Sequence, residues 1–189
     1  MAEILFINDQ YIKKYTQVNG SVDPNLLYPS IILAQEKYLM PYLGTSLYNK
    51  LKDDIENNTL AGNYQILMDN YVRRVVLWAM MVEVLPYLTY KIDNGSLVQR
   101  SAEESDSIDD GILKEFMDRS QANADFYRGL LTDYLCANSS LFPEYSNNQF
   151  PDRNPLNSSN KFSSYMISGG NTYTSRSSRW GDRNIDQIP

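Results

Sequence analysis

The chain has 189 residues, 42% of them hydrophobic, which is enough for one domain with a core of its own. Its net charge is −6, and it holds no histidine and a single cysteine, Cys136. This composition excludes histidine-based acid–base pairs and triads, histidine-ligated metals and an internal disulfide.

The charge is unevenly placed. From Asn138 onward Arg153, Lys161, Arg176, Arg179 and Arg183 stand against Glu144, Asp152, Asp182 and Asp186, a net of +1, so residues 1–137 carry −7. An acidic body is poorly suited to gripping nucleic acid. The opening MAEILFIND has an acid where a signal peptide is basic, and the longest apolar run, Val75 to Val82, is too short for a bilayer. The expectation is a soluble protein of a reducing cytoplasm with no membrane partner.

Asn8 is placed to cap a first helix, with Ile7 and Ile12 as the hydrophobic staple around the cap. Asp23 caps a second, with Pro24 at its first position and Val22 and Leu27 as staple partners. Leu27, Ile31, Ala34 and Tyr38 then follow a helical period; Pro29 lies early enough in it to be tolerated, the alternative being a start closer to Pro29. Met40 to Thr45 breaks the pattern, and a third helix is expected from about Thr45 to Asn57, burying Leu47, Leu51 and Ile55.

The strongest helical signal runs from Gly62 to Ile92. Tyr64, Leu67, Tyr71, Val75, Trp78, Val82 and Leu85 form its stripe, which Val72, Val76 and Ala79 widen, as in a central helix covered on several sides. Pro86 should kink or end it, and Asn94-Gly95 should supply a left-handed stop. Ser96 to Ser105 reads as a connector with a short extended piece at Leu97-Val98-Gln99. A last helix opens near Asp106 and runs through Phe116, Phe126, Tyr127, Leu130, Leu131 and Tyr134 to Ala137. The fold expected is all-α: a bundle of four to five helices over residues 1–137, followed by a long extended C-terminal arm over residues 138–189.

No pattern specifies catalysis. Glu103, Glu104, Asp106, Asp109 and Asp110 offer oxygen ligands but lack EF-hand spacing, and acids at a helix start have an ordinary dipole role. Asp53, Asp54 and Glu56 fit a solvated helix face better than a sheltered acid–base pair. Cys136 lacks a histidine to activate it and reads as a small buried hydrophobe. No catalytic residue, cofactor or metal is therefore expected. The 15 tyrosines divide between core packing and interfaces.

The Ser/Asn-rich tail carries aromatic residues at intervals: Phe142, Tyr145, Phe150, Phe162, Tyr165, Tyr173 and Trp180. Aromatics and arginine dominate binding hot spots, so these seven, with Arg176, Arg179 and Arg183, are the candidate interface residues. Burying them alone does not offset the entropy of ordering so long a segment, so the arm needs a broad partner surface.

Val22-Asp23-Pro24 leading into a helix, Gln35-Glu36, Pro41-Tyr42-Leu43-Gly44-Thr45-Ser46-Leu47-Tyr48, the long helix with Trp78 and the linker after Asn94-Gly95 together resemble the helical head–tail connector proteins of tailed bacteriophages, above all those of crAss-like phages. The likeness covers approximately residues 5–137. It implies a structural virion protein of the portal vertex, present in the host cytoplasm during assembly. Copies would form a homo-oligomeric ring, a dodecamer in that family, beneath the portal protein. The ring would extend the channel for double-stranded DNA, without sequence-specific binding, and the arm would dock on the portal or on adjacent tail or ring proteins. The alternatives are a soluble regulatory or inhibitory binding module that stays outside particles and, more remotely, a metal-dependent enzyme built on the acidic linker.

Overall fold

A computed structural model describes residues 3–18, 20, 22–94, 96–99, 110–147 and 153–156, with backbone alone at 91–93, 96–99 and 110. These residues are predominantly helical, as the periodicity predicts.

Helix α1 spans Asp9–Tyr15 and α2 spans Pro24–Ala34. Both start where the caps predict: the Asn8 side chain accepts from the Tyr11 N–H at 2.9 Å, and the Asp23 carboxylate accepts from the Asn25 N–H at 2.9 Å. Ile7, Ile12 and Leu27 are buried and Val22 half-buried, so both staples have packed. Pro29 lies inside α2 with its ring exposed.

A single wide π turn, Gln35–Leu39, joins α2 to α3, which spans Met40–Glu56. The turn buries the Gln35 side chain completely. Its Oε1 accepts from the Phe6 N–H at 2.7 Å, while its Nε2 donates to the Ile4 carbonyl at 3.1 Å. One amide thereby serves two backbone groups of the N-terminal segment that would otherwise be buried without partners. The expected break before Thr45 is confined to Gly44, whose φ of 73° and ψ of 160° only glycine adopts readily. Beyond it Leu47 and Leu51 are buried and Ile55 is half-buried. Asn58, at φ 54°, turns the chain out of α3.

The central helical stretch consists of α4 (Gly62–Leu67), a second π turn (Met68–Val72) and α5 (Arg73–Thr89). The π turn inserts a residue into the helical period and so rotates the buried face. Leu67, Met68, Val72, Val75, Val76, Ala79, Met80 and Val84 are fully buried, whereas Tyr64, Tyr71, Trp78, Val82 and Leu85 of the expected stripe are half-buried. Helix α5 is central as expected, packing chiefly on α2 and on α6 (Asp110–Ala137).

Pro86 is accommodated within α5, which continues to Thr89. The chain then forms a short antiparallel hairpin, β1 (Tyr90–Asp93) against β2 (Ser96–Gln99), with Tyr90 opposite Gln99 and Asp93 opposite Ser96. Asn94, at φ 47°, belongs to this hairpin turn and not to a helix stop. Asn-Gly suits both, because each needs a left-handed residue.

Beyond Ala137 the chain keeps packing on the helices. A 3₁₀ turn, Ser139–Leu141, leads into α7, Pro143–Ser146, which lies on α3. Phe142 is 0% exposed and Tyr145 is buried. Phe142 meets the Tyr64 ring edge-on at 5.5 Å and 84°, close to Tyr134, which stacks on Tyr71 at 4.3 Å. The Tyr64 hydroxyl donates to Glu144 Oε2 at 2.6 Å, and burial together with that bond raises its pKa.

Residues 153–156 form a strap over the break in α3. The Leu156 N–H donates to the Pro41 carbonyl at 2.9 Å, and the Thr45 N–H to the Arg153 carbonyl at 3.4 Å. Pro155 is buried so closely on Gly44 that a Cβ there would lie 2.8 Å from its Cγ and Cδ. The compact unit consequently runs to Leu156, not to Ala137.

Candidate interaction surface

A groove runs between α1, α5 and α6. At one end a cleft of about 540 Å³ is lined by the rings of Tyr11, Tyr15, Trp78 and Tyr127 together with Lys14, Asp69, Arg73 and Arg74. Trp78, Tyr15 and Lys14 also belong to an adjoining hollow of about 670 Å³, whose surface is mainly apolar: Val18, Val22, Met81, Leu85, Leu88 and Phe116. The size matches that of clefts that take ligands or side chains.

The cations of the cleft differ in their ties. Arg73 is held in place: it pairs with Asp69, and its Nε donates to the Phe6 carbonyl at 3.1 Å. Lys14 and Arg74 have no ion-pair partner among the described residues. Each instead lies over an aromatic ring, Lys14 at 5.2 Å from the centre of Tyr15 and Arg74 at 5.7 Å from that of Tyr127. Burial and the neighbouring Tyr15 raise the pKa of Tyr11, with Arg74 and Arg73 opposing, so its hydroxyl keeps its proton. The cleft presents aromatic side chains and two positive charges that no described residue pairs, on an acidic body, a setting that favours an anionic group of a partner.

Helix α6 adds a second exposed surface. Its inner side buries Ser120, Ala124, Leu131 and Leu135, while Ile112, Phe116, Phe126 and Leu130 are exposed, Phe126 at 61%. The periodicity marked Phe116, Phe126 and Leu130 as helix residues; it did not tell which of two apolar stripes lies inside.

Residues 39–155 match a family of unknown function, DUF6712, over more than half of the chain. The chain belongs to the DUF6712 family. Nothing matches it among curated proteins or among solved structures. The DUF6712 region begins at Leu39 in the π turn and ends at Pro155 in the strap, so it contains both sides of the Gly44 contact. It also contains the α5 and α6 walls of the groove, whereas α1 precedes it.

Of the residues singled out in the tail, Phe142 and Tyr145 lie in the core of this chain and not on an outer surface. The short connection from α6 brings them straight back onto Tyr64, Tyr134 and Cys136. Phe150, Phe162, Tyr165, Tyr173, Arg176, Arg179, Trp180 and Arg183 lie outside the described residues, as do Glu103, Glu104, Asp106 and Asp109. Cys136 is half-buried with its sulfur 3.9 Å from the Tyr145 hydroxyl; burial and this thiol raise the tyrosine pKa. Asp53 and Glu56 are exposed, whereas Asp54 is buried between the Lys50 ammonium at 2.6 Å and the Thr59 hydroxyl at 2.9 Å. That carboxylate fastens the end of α3. Among the described residues no helix is long and apolar enough to cross a membrane.

Proposed function

We propose that this DUF6712 protein is a structural subunit of a head–tail connector ring. Copies associate side by side below a portal, and the segment after Leu156 docks on neighbouring proteins. The observation that carries this reading is the cleft of Lys14 and Arg74, two cations without ion-pair partners among the described residues, set among residues 1–137, whose net charge is −7. A molecule that is acidic overall and basic in one place is complementary to itself in a head-to-tail sense, the kind of contact that builds a ring when the rotation between neighbours closes. The acidic balance also suits a DNA channel, since like charge lets phosphate slide past without sticking. The connector-like stretch Pro41–Tyr48 adds support: it builds the Gly44 break that receives the strap, a packing role with no chemistry of its own.

Mass spectrometry of purified phage particles tests the reading. The chain should be present in fixed stoichiometry with the portal protein; its absence from particles would overturn the proposal in favour of a regulatory binding module. The arm is tested by a truncation after Leu156, since a cut at Asn138 would also remove Phe142 and Pro155 from the core. The truncated chain should fold but enter particles poorly. Normal particle yield and composition would refute a docking role for the arm.

A further inference from the structure

The exposed face of α6 has a spacing that its own fold does not use. Ile112, Phe116, Arg119, Asn123, Phe126 and Leu130 follow one another at alternating steps of four and three residues, the repeat of a helix seam that packs on another helix. The buried stripe of α6 (Ser120, Ala124, Leu131 and Leu135) lies beside this seam, so the seam is a second face. Its order is symmetric. Read from either end it gives two apolar positions, then a polar one.

We propose that this face pairs with the same face of a second copy of the chain, the two α6 helices running antiparallel about a two-fold axis near Gln121. Antiparallel pairing sets Ile112 opposite Leu130 of the other copy, Phe116 opposite Phe126, and Arg119 opposite Asn123. Every layer then joins like with like, two apolar layers on each side of a polar centre. Parallel pairing in register would instead place Arg119 on Arg119 at the centre, two guanidiniums that each pair with Glu115 of their own helix and offer each other no acceptor.

Two further observations fit a helix as the occupant. Along one edge of the seam stand Ala122 and Gly129, and nothing lies within 4 Å of the position of a Cβ on Gly129. Small residues there let a second backbone approach closely. Phe116 also forms part of the apolar hollow with Met81, Leu85 and Leu88, so the Phe126 ring that the pairing brings to Phe116 meets a depression of about 670 Å³ and not a flat surface. The contact is isologous and closes at two copies. It is therefore a state of the free chain, although its hollow shares Lys14, Tyr15 and Trp78 with the cleft.

Sedimentation equilibrium of the full chain, up to about 1 mM, should show a reversible dimer. Phe126→Glu should raise its dissociation constant at least about 30-fold, the loss expected for a central hot-spot side chain. Phe116→Lys should do the same, and unchanged circular dichroism would establish that both variants fold. The decisive arm mixes the two variants. Antiparallel pairing sets the introduced lysine of one copy against the introduced glutamate of the other and restores Phe against Phe in the second layer, so a heterodimer should form where neither variant dimerises alone. In parallel pairing both variant layers stay mismatched. A monomer at every concentration, a dimer insensitive to Phe126→Glu, or a mixture that stays monomeric would overturn the inference. None of these results touches the ring reading, which is judged by particle composition.

Discussion

Replacing Phe142 with alanine separates a core residue from an arm anchor. The ring is fully buried, makes an edge-on contact with Tyr64 and lies close to Tyr134. Deleting a buried phenylalanine side chain costs about 3–5 kcal/mol, through lost transfer energy and the cavity left behind. The Tyr64 contact places Phe142→Ala toward the upper part of that range, since such aromatic pairs add about 0.5–1.5 kcal/mol beyond area. In a domain of this size each kcal/mol lowers the melting temperature by about 2–4 °C, so the shift should be about 6–20 °C. Phe126→Ala is the matched control. It removes the same ring from an exposed site and should change stability by no more than about 0.5 kcal/mol. Thermal and urea unfolding followed by circular dichroism, at a concentration low enough to keep the chain monomeric, would measure both. If Phe142→Ala were as mild as its control, the account of residues 138–156 as part of the core would be wrong.

Gly44→Ala should destabilise by at least about 1–3 kcal/mol, because φ 73° with ψ 160° is strained for any residue with a Cβ. The new methyl would also displace Pro155, so the Leu156 amide should exchange its hydrogen faster; unchanged protection there would refute the strap. Adding Pro155→Ala should relieve the clash and leave the backbone strain. A third expectation concerns acid. Burial raises the Glu83 pKa, but the Lys37 ammonium at 2.6 Å and the Tyr38 hydroxyl at 2.7 Å outweigh it, so the carboxyl lies below its ordinary value. A folded pKa below the unfolded one, about 4.3, stabilises the protein above that pH, and the contribution is lost as pH falls through the folded value. The difference in urea midpoint between wild type and Glu83→Gln should be constant near neutrality and disappear toward about pH 2. A difference that persists there would exclude this ion pair as its source.

The sequence was most legible where the determinants are local. Asn8 and Asp23 announce their helices because a cap needs only the side chain and the N–H groups two or three residues on. The buried face of the central helix was harder to read. Tyr64 and Tyr71 of the expected stripe are only half-buried while Met68, Val72 and Val76 beside it are fully buried, and no residue type marks the π turn that rotates the face. Gln35 shows the same limit. A glutamine in a helical run looks like surface, and only the Phe6 and Ile4 backbone, distant in sequence, makes its burial sensible. In the tail, composition misled. Ser and Asn surround Phe142, Tyr145 and Pro155, so the segment reads as an extended arm whose aromatics await a partner, although these three apolar residues are buried in the chain's own compact unit. On α6 the apolar residues were evident but not their side, because a helix with two apolar stripes does not say which one its own chain covers.

The strap has a consequence for how the chain folds. Gly44 and Pro155 meet across more than a hundred residues, and closing so long a loop costs about 2 kcal/mol more entropy than closing a ten-residue turn. The helices between them can nucleate on nearby contacts, but this closure has to wait until both ends exist. During synthesis the break in α3 stays uncovered until Pro155 leaves the ribosome, long after α3 itself has emerged. Sealing the break is therefore among the last events of folding, and it leaves the chain at one fixed point, Leu156, from which everything downstream must start.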